Sequence, residues 1–314
     1  QLPSPVRPPL LVDTAASSFV LALLGLDGVG RVTAHRLLER FPTLDALRAC
    51  PREQVLLRLK GLPHAERTVT LLFDEAAFAP HLDRARAAVE EMAARRIAVV
   101  VPGHAHWPAA LDALAPADRP AALYAFGDTA VLAARPVALF GRAPLPADAY
   151  EAAQGLAERL LAERLPLACG AAPGFDVALH KRYAAAGLPC VMVARAGLAR
   201  VDPPARPGVA AAVKAGGVLV SPFPPTHGPF DHDDRERALV QAALAGPAAF
   251  FAPAAGSPEA KALAWALEAG RPVFGVEGDP AADAGLLHLS TRVHRLARPV
   301  DLDWVVAAAR AERG

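Results

Sequence analysis

LPLACGAAPGFDVALHKRYAAAG, residues 165–187, reads as a short buried strand, a loop of Gly, Ala and Pro, and a helix that starts near Asp176. Small residues let the backbone of such a loop approach a ligand closely. The first helical N–H groups and the helix dipole then point at a negative group. On the helix behind the loop, His180-Lys181-Arg182-Tyr183 sets three basic groups beside an aromatic. That pattern suits phosphate contact with stacking, and it equally suits a solvated helix turn.

Outward from this stretch the same texture repeats. Short apolar runs at 97–101, 121–125, 137–140, 166–169, 190–194, 218–221, 248–252 and 272–276 alternate with helical patterns near 147–164, 175–186, 208–216, 234–245, 257–269 and 301–312. The alternation predicts an α/β fold, a doubly wound and mostly parallel sheet with helices on both faces. Such a sheet takes its ligands at the carboxyl ends of its strands. The run at 272–276 is expected to be a hydrophobic edge strand, open to pairing.

Three strand ends carry candidate chemistry: Phe140-Gly141-Arg142, the loop from Cys169 to Asp176 with Gly170 and Gly174, and Ala255-Gly256-Ser257-Pro258. Glycine-bearing loops at one sheet edge point to a phosphate site, although none matches G-x-G-x-x-G or a P-loop, and no cofactor is expected. Arg235 and Arg237 fall in the first turns of the helix near 234, where a cation opposes the dipole and an anion partner would explain it. Asp231, Asp233 and Asp234 are read as capping acids rather than a metal site. Asp176 is read as a helix cap, as a brace for the loop, or as a contact to a ribose or base edge. Cys169 and His180 make a poor nucleophile and base, with no third group beside them.

Upstream, residues 1–17 are a Pro-rich lead-in. Residues 18–95 read as a small all-helical domain, and residues 96–314 as the α/β domain. GLDGVGRVTAHRLLERF, residues 25–41, has a helix-hairpin-helix pattern in which Gly28 and Gly30 allow a tight turn, and Leu59-Lys60-Gly61-Leu62-Pro63 echoes it. A plain helical hairpin accounts for the motif as well. Residues 65–96 are expected to be helical, broken at Pro80.

Composition narrows the function classes. The 314 residues are 53% hydrophobic and 21% charged, a globular profile with room for two domains. A net charge of +1 means that any nucleic acid must be held by a local patch, not by the field of the whole molecule. Aromatics at 6% argue against a surface covered in base-stacking platforms. The three cysteines lack C-x-x-C spacing, so neither zinc nor a disulfide framework is expected, and the cytoplasm is the expected compartment. No membrane span or signal peptide is expected. The chain begins on Gln1, which predicts a trimmed start.

In order and spacing the chain resembles the DNA-processing protein A family (DprA, also called Smf), from residue 18 to about 300. Gly170, Gly174, Asp176 and His180 match its Ser-Gly-x-Ala-x-Gly-Ile-Asp…His signature. His106-Trp107-Pro108, Leu123-Tyr124 and Phe126-Gly127-Asp128 resemble its Tyr-Pro and Leu-Tyr-x-x-Gly stretch. Leu139-Phe140-Gly141-Arg142 falls at its Val-Gly-Ser-Arg loop, Ser221-Pro222-Phe223-Pro224-Pro225 at its Ser-Glu-x-Pro-Pro, and Arg235-Glu236-Arg237 at its Arg-Asn-Arg. Gly270-Arg271-Pro272-Val273-Phe274 resembles its Gly-Arg-x-Val-Phe strand.

The resemblance implies an extended Rossmann-like fold preceded by a helix-hairpin-helix or SAM-like domain. It implies a homodimer that binds single-stranded DNA and helps load the RecA recombinase in natural transformation, and it implies no enzymatic activity. Gly141, Arg142, Gly170, Gly174, Lys181, Arg235 and Arg237 would form the phosphate pocket. Asp176 and His180 would keep the loop's shape, and Ser257 would open the third loop. Departures fall on these motifs: Ala143 stands at the loop arginine, Cys169 replaces a Ser, Pro173 replaces an Arg, Pro222 a Glu, and Glu236 an Asn. The chain ends soon after the α/β part, so the winged-helix tail of many members is expected to be missing or reduced. Two other readings fit: a nucleotide-derivative-binding enzyme or sensor, and a degenerate dimeric scaffold acting through protein contacts.

Overall fold

The computed structural model describes residues 13–142, 144–278 and 291–312. The chain divides into two compact units, residues 1–104 and 105–314. Most of the lead-in lies outside the described residues. From Asp13 onward the chain is already helical, because the Asp13 carboxylate caps α1 (Thr14–Leu24) by accepting from the N–H groups of Ala15 and Ala16.

The first unit continues with α2 (Arg31–Leu38), α3 (Leu44–Arg48), α4 (Arg52–Arg58), α5 (Ala65–Phe73), α6 (Glu75–Ala94) and β1 (Ile97–Val100). Phe19, Leu23, Leu37, Leu59, Leu72 and Phe78 are buried in its core. The turn between α1 and α2 needs Gly28, whose φ of +80° is a left-handed conformation, whereas Gly30 takes an ordinary φ of −97° as the N-cap of α2. The helix break expected at Pro80 lies at Asp74 instead. Asp74 ends α5 and caps α6 by accepting from the Ala77 N–H, and Pro80 sits inside α6. A local side-chain cap has outweighed the proline as the punctuation of this segment.

The second unit is α/β. Its strands are β2 (Leu123–Gly127), β3 (Val137–Gly141), β4 (Leu167–Gly170), β5 (Cys190–Val193), β6 (Val218–Ser221), β7 (Ala248–Phe251), β8 (Val273–Val276) and β9 (Val293–Arg295). They lie in the order β2-β6-β5-β4-β3-β7-β8-β9. β2 is antiparallel to β6, with Tyr124 opposite Ser221, and the other pairings are parallel. The helices are α7 (Ala147–Ala162), α8 (Phe175–Ala185), α9 (Arg206–Lys214), α10 (Asp233–Leu244), α11 (Pro258–Glu268) and α12 (Leu302–Ala311). Every residue of β4, β5, β6 and β7 is buried, as a parallel sheet covered on both faces requires. Leu139, Leu156, Leu167, Leu179, Tyr183 and Val305 belong to one core that joins β3 and β4 to α7, α8 and α12.

The strand at 273–276 is not an edge. β9 pairs with it in parallel, with Phe274 opposite His294, so its backbone groups are taken on both sides. Three residues are too few to show a period, and only Val293 of them is buried. From β3 the chain builds β4, β5 and β6 to one side, then returns to lay β7, β8 and β9 on the other. β3 is therefore the strand at which the winding reverses, and the crevice at its carboxyl end is the expected ligand position. Among the described residues no helix is long and apolar enough to cross a membrane.

Candidate functional site

A cavity of about 250 Å³ lies at the carboxyl ends of β3, β4 and β5. Its floor is Phe140, Gly141, Gly170 and Val193, and its walls come from the loop 171–173 and from Phe175, Arg195, Asp202, Asp234, Arg237 and Glu259. The volume is below the roughly 300–1,000 Å³ of small-molecule pockets, so it has room for a phosphate and part of a sugar rather than a whole dinucleotide.

The signature loop does form the strand–loop–helix turn that its composition calls for. Gly174 precedes α8 at a φ of +89°. Gly170 is required by close approach, since a Cβ there would lie 2.4 Å from an Asp176 carboxylate oxygen. Asp176 sits in the first turn of α8 and is almost fully buried. It reaches back into the loop, where Oδ2 accepts from the Ala172 N–H at 3.0 Å. The anion that the loop holds is thus a carboxylate of the chain itself. Burial pushes the Asp176 carboxyl up to about 6, against the opposing pull of Arg237 and of the Ala172 and Gly170 N–H groups.

Carboxylates also meet every guanidinium in the cavity. Arg142 bonds to Asp234 at 2.8 Å and to Glu259 at 3.1 Å. Arg237 bonds to Asp234 at 2.8 Å, to Gln241 at 2.6 Å and to Glu259 at 3.4 Å. Arg195 lies 3.4 Å from Asp202. Burial pushes the Asp234 carboxyl up, but the Arg237 charge and the hydrogen bonds from Arg142 and Arg237 outweigh it and hold Asp234 below the usual carboxylate range. Burial likewise works against charge on Arg142, and its two acid partners more than restore it. The lining holds three guanidinium groups and four carboxylates. It carries one net negative charge with Asp176 ionised and none with Asp176 protonated.

Exposure separates the two central arginines. Arg237 is buried, and its partner Gln241 donates to the Leu139 carbonyl at 2.9 Å, which ties α10 to β3. The Arg142 side chain is 57% exposed at the cavity mouth, although its partner Glu259 is only 8% exposed. Arg142 can turn to a ligand at small structural cost, and Arg237 cannot.

Of the residues singled out in the sequence, the structure brings Gly141, Arg142, Gly170, Asp176 and Arg237 to this cavity. Gly141 packs under the Phe175 ring, where a Cβ would lie 3.1 Å from its carbons. His180 is buried, and its Nε2–H donates to the Gly170 carbonyl at 3.0 Å, so it braces the loop from behind. Burial lowers its pKa to about 4, which keeps the imidazole neutral. Lys181 and Arg235 are exposed and do not line the cavity, and Ser257 caps α11 by accepting from the Ala260 N–H. Ala143 lies outside the described residues. Burial holds the Cys169 thiol well above its ordinary value, so it is no nucleophile.

The sequence pattern marks Asp234 as a capping acid and carries no signal at Glu259, Arg195 or Asp202. Asp234 does not cap α10; it binds two arginines. The three-residue spacing of Asp234 and Arg237 on one helix was the available signal. Nothing local could reveal that Arg142 would meet an acid 117 residues away. Among the described residues no group of three or more His, Cys, Asp or Glu is placed to hold a metal ion.

The fold is similar to DNA processing protein A (DprA) from Streptococcus pneumoniae, with a TM-score of 0.68 and 18% identity over 92% of this chain and 97% of that one. It is also similar to DNA processing protein A from Helicobacter pylori, a protein with a single-stranded DNA binding mode, with a TM-score of 0.57 and 18% identity over 69% of this chain and 97% of that one. No curated protein sequence matches the chain. Residues 98–293 match the family described as DNA recombination-mediator protein A, and the chain belongs to that family.

Proposed function

We propose that this protein binds single-stranded DNA at the cavity formed by the carboxyl ends of β3, β4 and β5. In this reading it acts as a homodimer that protects incoming single strands and loads the RecA recombinase onto them during natural transformation or recombination. It performs no catalysis of its own. Membership of the recombination-mediator family supports the reading. The observation that carries it is Arg142, a half-exposed guanidinium at the mouth of the crevice where the sheet reverses, beside a glycine loop and a helix N-terminus. A backbone phosphate would take Arg142 by displacing Asp234 or Glu259, while Arg237 stays in place to hold the acids.

One observation favours a second reading. Because every arginine in the cavity already has an acid partner, a scaffold that acts through protein contacts would show the same network. Arg142→Ala separates the two. For a phosphate contact the variant binds single-stranded oligonucleotides about tenfold more weakly, by the same factor for every base composition. Fluorescence anisotropy with labelled oligonucleotides reads this directly, and wild-type affinity in the variant would contradict the proposal.

A further inference from the structure

The amino ends of β3, β7 and β8 carry a charged cluster that the cavity does not use. Arg135 stands two residues before β3, and Arg271 two residues before β8. β7 runs between those strands, with Ala138 opposite Ala248 and Ala248 opposite Val273. The two arginines therefore flank the start of β7. Glu312, just past α12, lies over that start, where a Cβ on Gly246 would come within 3.2 Å of its Cγ. The Glu312 carboxylate bonds to Arg135 Nη2 at 2.6 Å.

The backbone here is fixed. The Gly246 N–H donates to the Pro136 carbonyl and the Ala248 N–H to the Pro272 carbonyl, both at 3.0 Å. Arg135 itself is held at φ 45° and ψ 65°, a left-handed conformation that a residue with a Cβ keeps only where its surroundings impose it. Its Nε is buried and has no hydrogen-bond partner. Arg271 is half-buried, and among the described residues no carboxylate forms an ion pair with it. Burial, and then the nearby Arg135 charge, hold the Arg271 guanidinium below its usual range, and Glu312 offsets this only in part.

The charge balance is thus the reverse of that in the cavity. There four carboxylates meet three guanidinium groups; here two guanidinium groups share one carboxylate. A cation kept partly from water beside a like charge is stabilised by an anion that reaches both. Two guanidinium forks suit the several oxygens of a phosphate, which carries more charge than the single carboxylate of Glu312. We propose that Arg135 and Arg271 form a second phosphate site, at the end of the sheet opposite the cavity. Arg135 and Arg142 lie at the two ends of β3, about 23 Å apart along the strand, so one phosphate cannot serve both. The site does not depend on the single-strand reading above.

The test titrates inorganic phosphate into the full chain, with sodium chloride at matched ionic strength as the control. Arg142→Ala serves as the background, so that the cavity adds nothing to the signal. In that background phosphate is expected to bind and to raise the melting temperature beyond the chloride control. Adding Arg271→Gln should weaken phosphate about tenfold. Without phosphate the Arg271→Gln protein should melt at or above its parent, because a half-buried cation beside a like charge is gone. Glu312→Gln removes the competing carboxylate and should tighten phosphate severalfold. Unchanged phosphate affinity in Arg271→Gln, weaker affinity in Glu312→Gln, or equal stabilisation by chloride would each overturn the site. Labelled oligonucleotides then tell the source of the phosphate. A DNA backbone as the source means that Arg271→Gln lowers the slope of log affinity against log salt by about 0.7 for an oligonucleotide long enough to span β3, and not for a shorter one. Free phosphate as the source means that oligonucleotide binding is unchanged at both lengths. Either result keeps the site. If the wild type binds no single strand at low salt, the reading of the cavity falls and this site stands, because the phosphate titration uses no DNA.

Discussion

Asp176 shows how far the chain supplies its own anions. Its folded pKa of about 6 lies above the ordinary 3.8, so the carboxyl favours folding in its protonated form. The stability it contributes is whole below about pH 4 and is lost as pH rises through about 6, a difference of about 3 kcal/mol. Asp176→Asn keeps an acceptor for the Ala172 N–H without the charge. Its stability relative to wild type should therefore rise between about pH 4 and pH 8, as read by urea unfolding at several pH values; a constant difference would contradict the assignment. Glu259 offers the complementary test. Removing its charge strips one counter-ion from both Arg142 and Arg237. Glu259→Gln should bind single-stranded DNA about tenfold more tightly and yet unfold about 2 kcal/mol more easily, since a buried pair is broken. Weaker binding in titrations of this variant would show that Glu259 does not compete with phosphate.

At the scale of elements, the strands and helices of the second unit were legible because parallel strands covered on both faces are unbroken apolar runs. β5 and β7, CVMV and AAFF, are such runs. β9 was not legible because only Val293 of its three residues is buried. The loop at 170–174 was legible because its glycines act locally, through φ at Gly174 and through close approach at Gly170. The ion-pair network was not, because Arg142, Asp234 and Glu259 come from three separate helices and loops that only the sheet brings together. The Gly-Ser loop at 256–257 suggests a phosphate contact, and the Ser257 hydroxyl caps the N-terminus of α11. Ser257→Ala should cost about 1 kcal/mol of stability and leave DNA affinity unchanged, which thermal melting and anisotropy on the same sample would check.

For the molecule as a whole, a net charge of +1 supplies no long-range attraction for DNA, and the cavity, with its acids, adds none. In the proposed reading, binding comes from a few phosphates, one of which displaces a carboxylate at Arg142. This separates the account from one in which a strongly basic groove holds the strand by field alone. The salt dependence of wild-type affinity for a single-stranded oligonucleotide, with a duplex of the same length alongside, tests it most directly. Each phosphate neutralised contributes about 0.7 to the slope of log affinity against log salt. Measurable single-strand binding at low salt, a slope of about 1–2 and weaker binding of duplex are the predicted result. No binding at low salt, or equal affinity for duplex, would contradict it.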